Sequence, residues 1–185
     1  ASLQIARHIG IPHSCIAGAS DSKIADAQSG FEKALTVTMA AQAGSNMITQ
    51  AAGMQAGLMS CSFESYVIDN DMLGAILSSL APIEVTTSTL GVDDIRAVVH
   101  GEGHFLGRPE TLARMNVDFV YPLISDRRSV EEWERQAGQD IRNVAKNRVE
   151  SVLSTYYPSH LSSEVIKDLR RSFELHLPDS SMRPL

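Results

Sequence analysis

Ile16-Ala-Gly-Ala-Ser-Asp-Ser-Lys-Ile-Ala-Asp-Ala-Gln-Ser-Gly-Phe31 runs from a short apolar stretch, through a small polar turn, into a helical pattern. Strand, turn and helix in that order make the repeating unit of a parallel α/β protein, where ligand groups sit on the loops that follow strands. Gly18, Ala19 and Ser20 leave room for a ligand against the backbone. Ser20, Asp21, Ser22 and Lys23 add hydroxyls, a carboxylate and a cation at the strand's C-terminal end. These residue types name no reaction by themselves.

Working outward, residues 5–8 read as a helix end closed by Gly10, and 11–16 as a strand with Pro12 at its start. From about residue 25 to 42, Phe31, Leu35, Thr38 and Met39 recur at helical spacing, and Gly44 stops the helix. Residues 46–50 read as a short buried strand that opens into a Gly-rich turn over 51–57, so the unit repeats. Ser62 caps the next helix with Glu64 in its first turn, the stripe Tyr66, Val67, Asn70, Leu73, Gly74, Leu77 and Leu80 faces inward, and Pro82 ends it.

Beyond residues 83–85 the pattern predicts a short helix over 92–99, a turn-rich connection over 101–112 entering another helix, and an apolar link over 119–124. Ser129-Val-Glu-Glu132 has capping-box spacing. Trp133, Ala137, Ile141, Val144, Ala145, Val149, Val152 and Tyr156 predict one long amphipathic helix reaching toward Pro158. Its wet side, Glu131, Glu132, Glu134, Arg135 and Arg142, reads as a solvated face. Ser162 or Ser163 starts a last helix with Val165, Ile166, Leu169 and Phe173 inward, before a polar tail. We read residues 1–126 as strand-loop-helix units and 127–185 as a helical extension of the same domain.

With 43% hydrophobic and 21% charged residues and a formal charge of −6, bulk nucleic-acid binding is excluded from the reading. The apolar runs fall short of the roughly 20 residues a bilayer crossing needs. The start, Ala1-Ser2-Leu3-Gln4, shows no leader pattern, so a cytoplasmic location is expected. Cys15 and Cys61 stand apart and read as reduced thiols, and no His, Cys or Asp spacing suggests a metal site. Met39, Met47, Met54, Met59 and Met72 are assigned to packing. A parallel sheet of two strands is not a stable core, so its neighbours are expected from further chain or from another copy, which leaves a homo-oligomer open. The expected architecture is the C-terminal portion of a (β/α)8 TIM-type barrel with a helical C-terminal extension.

Gly18-Ala-Ser-Asp-Ser-Lys-Ile-Ala-Asp-Ala-Gln-Ser-Gly-Phe31 resembles a signature of the trimethylamine and quaternary-amine corrinoid methyltransferases. Gly103-His-Phe-Leu-Gly107 with Pro109-Glu-Thr-Leu112, then Asp126-Arg-Arg-Ser129 and Trp133-Glu, is similar to the family's C-terminal pattern. The resemblance implies a barrel enzyme that passes a methyl group from an amine to the cobalt of a corrinoid (cobalamin) carried by a separate protein. It implies no cofactor bound directly by the chain, and docking to the corrinoid protein is a second use for the wet face after Ser129. Members acting on trimethylamine carry pyrrolysine in the turn before Ser-Asp-Ser-Lys, where this chain has Ala19. That substitution favours a quaternary amine, glycine betaine or a related betaine, whose nitrogen is already cationic and leaves as a neutral amine.

The substrate-binding candidates are Gly18, Ala19, Ser20, Asp21 and Lys23 in the first loop, Gln50 and Met54 after the second strand, and His104. Each has a plainer use. Asp21 also suits a helix cap, Lys23 a surface ion pair, Gln50 and Met54 loop packing, and His104 a structural hydrogen bond in a turn. Aromatics make up only 5% of the chain, and Phe31, Phe63 and Tyr66 read as core before they read as a cage for a quaternary nitrogen. No catalytic side chain is assigned. A noncatalytic betaine-binding or assembly protein on the same scaffold is the alternative.

Overall fold

A computed structural model of the chain describes residues 1–101, 103–156 and 160–176. The chain enters through α1 (Ser2–His8) and continues as β1 (Ser14–Ile16), α2 (Ala27–Gln42) and β2 (Met47–Thr49). The two strands pair in parallel, Ser14 against Met47, Cys15 against Ile48 and Ile16 against Thr49, with α2 as the crossover that a parallel pair requires. Both strands are shorter than the sequence pattern. The Ile11 N–H turns back to the Ala6 carbonyl and Pro12 has no N–H, so pairing starts at Ser14. Gln50 leaves the strand at φ +62.

The Gly-rich stretch is more than a turn. It supplies β3 (Met54–Gln55), which pairs antiparallel with β4 (Ser60–Cys61) before α3 (Phe63–Leu80). Ser62 caps α3 as expected, accepting from the Ser65 N–H at 3.1 Å. Ala81 turns extended ahead of Pro82 and ends the helix. The cap of α2 is Asp26, not Asp21: its carboxylate accepts from the Ser29 N–H at 3.0 Å. Gly44, at φ +82, closes that helix.

The inward faces of α2 and α3 differ from the predicted stripes. On α2 the buried residues are Ser29, Lys33, Val37 and Ala40, while Phe31, Leu35 and Met39 are exposed. On α3 they are Ser65, Asp69 and Ile76, while Phe63, Tyr66 and Leu77 are exposed. Ala17, Val37, Ala40 and Ile76 form the core, with Cys15, Ile48, Met72 and Leu73 packed against it. Met47 and Met59 are exposed as well, so packing describes Met54 and Met72 better than the other three. Small residues let the helices lie close to the strands, and the polar ones inside are partnered, which is the condition for burying them.

The later chain is helical: α4 (Thr87–Leu90), which the pattern did not suggest, α5 (Val92–Val99), α6 (Pro109–Met115), α7 (Val130–Arg135), α8 (Ile141–Thr155) and α9 (Ser163–Ser172). The long helix predicted after Ser129 is two helices. Ala137 and Gly138 take positive φ, the Trp133 indole N–H donates to the Gln139 carbonyl across the break, and Asp140 caps α8. Helix α8 packs on α3 through the fully buried Ala145. Ser162 caps α9, but Val165, Leu169 and Phe173 are exposed rather than inward. Tyr156, the last residue of the predicted stripe, is exposed; Glu102, residues 157–159 with Pro158, and the tail from 177 lie outside the described residues. Among the described residues no helix is long and apolar enough to cross a membrane.

One carboxylate ties the apolar link to the first half of the chain. Asp71 on α3 accepts from the N–H groups of Leu123, Ile124 and Ser125 at 2.9–3.0 Å and from the Ser125 hydroxyl at 3.1 Å. Burial pushes its carboxyl up, but these bonds outweigh that and hold it below the ordinary 3.8. Folding therefore favours the charged form. Its contribution is complete above the unfolded value and disappears as pH falls through the lower folded one. Asp71→Asn is expected to lose about 1–2 kcal/mol near neutrality. It should also show a shallower decline in urea midpoint from about pH 5 downward than the parent chain.

Candidate functional site

The loop between β1 and α2 and the connection between β2 and α3 meet at one end of the parallel pair. The Gly57 N–H donates to the Ser20 carbonyl at 3.0 Å and the Ala56 N–H to the Ser22 carbonyl at 2.8 Å. Gly18 lies so close to the second connection that a Cβ there would fall 2.7 Å from the Ala51 Cα. Its own N–H donates to Thr36 Oγ1 at 3.1 Å. Seven of the eight candidates, Gly18, Ala19, Ser20, Asp21, Lys23, Gln50 and Met54, therefore sit on two cross-linked loops that form a rim. His104 lies on the connection between α5 and α6 and is exposed, and the bonds joining the two loops run through Ser20, Ser22, Ala56 and Gly57.

The candidates differ in what they can offer. Ser20 is 2% exposed and its hydroxyl donates to Glu32 Oε2 at 2.7 Å, so it organises the loop instead of facing outward. Gly18 is buried and Ala19 half-buried. Asp21 and Lys23 are exposed. The Asp21 carboxylate stands over Gly57, where a Cβ would be 3.2 Å from Oδ1. Lys23 Nζ donates to the Asp21 carbonyl at 2.8 Å, which places the ammonium beside the acidic residue without neutralising it and leaves its other donors free for a ligand anion. A carboxylate and an ammonium thus stand together on the rim.

Sequence reasoning passed over the residues that hold this arrangement. Glu32 on α2 accepts from Ser20 Oγ, from the Asp21 N–H at 2.9 Å and from Gln28 Nε2 at 2.9 Å. The Ser20 hydroxyl, then Gln28 and the Asp21 amide, hold its carboxyl below the usual range. Behind the second connection, Lys33 Nζ meets Asp69 Oδ2 at 2.7 Å, and the same oxygen accepts from the Gly53 N–H at 2.7 Å. Gln55 links Ser29 on α2 to Ser65 on α3 through its side-chain amide. The available signal was the polar set Ser29 and Lys33 on the α2 face that also carries Val37 and Ala40.

A cleft of about 440 Å³ opens in the helix layer between the N-terminal ends of α2 and α8. Most of its polar groups are already engaged, Ser29 and Ser65 with Gln55, Asp69 with Lys33, and Asp26 and Asp140 as helix caps, while the exposed Arg142 also lines it. The rim, where an exposed carboxylate and an exposed ammonium stand together, is the better candidate for a zwitterionic ligand. Among the described residues no group of three or more His, Cys, Asp or Glu is placed to hold a metal ion.

Residues 1–174 match the family model described as Trimethylamine methyltransferase (MTTB). Trimethylamine methyltransferase MttB of Methanosarcina thermophila is 32% identical over 168 residues, 90% of this chain and 34% of its own length. Trimethylamine methyltransferase MttB2 of Methanosarcina mazei is 33% identical over 168 residues, 90% of this chain and 33% of its own. The Glycine betaine methyltransferase of Desulfitobacterium hafniense (strain Y51) is 30% identical over 165 residues, 89% and 34% respectively. The chain spans about a third of the length of the curated relatives it matches.

Proposed function

Because this chain belongs to the trimethylamine methyltransferase family, we propose that it contributes the amine-binding rim of an enzyme transferring a methyl group from a quaternary amine, glycine betaine or a related betaine, to a corrinoid carried by a separate protein. The observation that carries the reading is the exposed pair Asp21 and Lys23 on the cross-linked loops. A betaine is a zwitterion, and the two side chains match its ammonium and its carboxylate. The exposed faces of β1 and β2, including Ile16 and Met47, fit the interior of a (β/α)8 barrel of which residues 1–126 are the closing units and 127–185 the helical extension. Strand neighbours from further chain or a second copy, and a cytoplasmic setting, belong to the same proposal.

A reduced corrinoid on a partner protein would supply the electron pair for the new bond to carbon, and the N–CH3 bond would break with its pair left on nitrogen. The leaving amine is neutral and takes no proton, so the rim needs no general acid. Leu58 and Met59 are exposed beside Gly57, which leaves that side open to a partner's cofactor. Nitrogen loses positive charge in the transition state, so Asp21 stabilises bound substrate more than the transition state. Losing Asp21 therefore raises KM without lowering kcat, whereas Lys23, facing a carboxylate whose charge does not change, binds substrate and transition state alike and acts on KM alone.

Lys23→Met is accordingly expected to raise KM for glycine betaine by about tenfold, with kcat within about twofold. A quaternary amine without a carboxylate, such as tetramethylammonium, should show no such rise, and a modest fall in KM as the nearby cation is removed. The test of the reading itself uses the full-length protein carrying this chain, a reduced corrinoid and a panel of amines, with the cobalt absorption followed over time. Methylation by one quaternary amine supports transfer. Binding without a spectral change points to the noncatalytic betaine-binding or assembly role, and methylation by trimethylamine alone overturns the substrate class.

A further inference from the structure

Adjacent residues on α2 hold the two loops of the rim by separate routes. Lys33 reaches the second connection through Asp69 and the Gly53 N–H. Glu32 reaches the first directly, across 12 residues to the Ser20 hydroxyl and 11 to the Asp21 N–H. The Ser20 oxygen also accepts from the Ser22 N–H at 3.0 Å. One carboxylate oxygen and one hydroxyl thus pin the backbone on both sides of Asp21. Glu32 has no capping duty, because Asp26 starts α2. Its second oxygen is taken by Gln28, so Glu32 itself is not aimed at a ligand.

We propose that Glu32 is a positioning residue of the rim: by holding the Ser20 hydroxyl and the Asp21 amide it fixes the point at which the Asp21 carboxylate meets the cationic nitrogen of a quaternary amine. This rests on the methyl-transfer reading of the rim. A quaternary nitrogen has no N–H, so its attraction to Asp21 has no hydrogen-bond direction to guide it and depends on distance. A loop of Gly, Ala and Ser has many accessible conformations, and without a fixed tether Asp21 is spread over them. Charge-assisted bonds to Glu32 select one.

The test uses the full-length protein with glycine betaine as the probe and a reduced corrinoid as acceptor. Glu32→Gln keeps the size and removes the charged acceptor, and Glu32→Asp keeps the charge one methylene short. Glu32→Gln is expected to raise KM by about tenfold with kcat within about twofold. Its melting temperature should fall by only a few degrees, amide exchange at Asp21 and Ser22 should quicken, and Glu32→Asp should recover part of the KM loss. An unchanged KM in an otherwise active protein overturns the positioning role and leaves methyl transfer standing. A lowered melting temperature and kcat with unchanged KM assigns Glu32 to the fold and overturns it equally. If the parent protein transfers no methyl group from any quaternary amine, the reading of the rim fails and this inference goes with it.

Discussion

Lys33→Met is expected to lower the folding stability of the chain by about 3–5 kcal/mol, read as a reduced urea midpoint with little change in slope. Lys33 is fully buried and Asp69 is 3% exposed, so neither charge is solvated. Their 2.7 Å contact compensates the two desolvation costs mutually, and removing the cation leaves a buried carboxylate with the Gly53 N–H as its remaining named donor. Asp69→Leu should be at least as damaging, because it strands the Lys33 ammonium and the Gly53 N–H together. The double variant Lys33→Met with Asp69→Leu is the informative one. Two apolar residues of similar size restore most of the loss, but the orphaned Gly53 N–H still costs about 1–3 kcal/mol. A double variant no better than either single would mean that shape, not charge, governs this contact between α2 and α3.

That buried pair also explains which parts of the fold could be read from the sequence. Element ends were legible wherever local chemistry marks them: Gly10 after α1, Gly44 after α2, Ser62 before α3 and Pro82 after it. The loop candidates were legible for a related reason, since a run of small and polar residues directly after an apolar stretch is a local feature. Inward faces were not. Periodicity shows that Phe31, Leu35 and Met39 share one side of α2, but it cannot say that Lys33 opposite them finds Asp69 36 residues away. With that partner the polar side can be buried and the apolar side left exposed. The same blindness to distant partners hid Glu32, which lies well inside a helix and acts on a loop preceding it. The break in the predicted long helix was readable after all: Gly138 marks it, followed by Asp140 in a capping position.

Gly18→Ala is expected to cost about 2–5 kcal/mol, combining about 1–2 for a side chain in the left-handed region with about 1–3 for forced overpacking. Gly18 has φ +90, and an added Cβ would meet the Cα, carbonyl carbon and oxygen of Ala51 at 2.7–2.9 Å. All three are backbone atoms, so relief cannot come from a swinging side chain and requires the two loops to separate. They are not free to do so. The Ala17 N–H is bonded to the Thr49 carbonyl and the Gly18 N–H to Thr36, which fixes the strand end on both flanks. Gly10 provides a control within the same chain: it has φ +73, but an added Cβ there would find nothing within 4 Å among the described residues. Gly10→Ala should therefore show the conformational cost of about 1–2 kcal/mol alone. The difference between the two urea midpoints measures how tightly the loops are pressed together. Equal losses at the two positions would mean that Gly18 serves only its own turn and that the rim can open without strain.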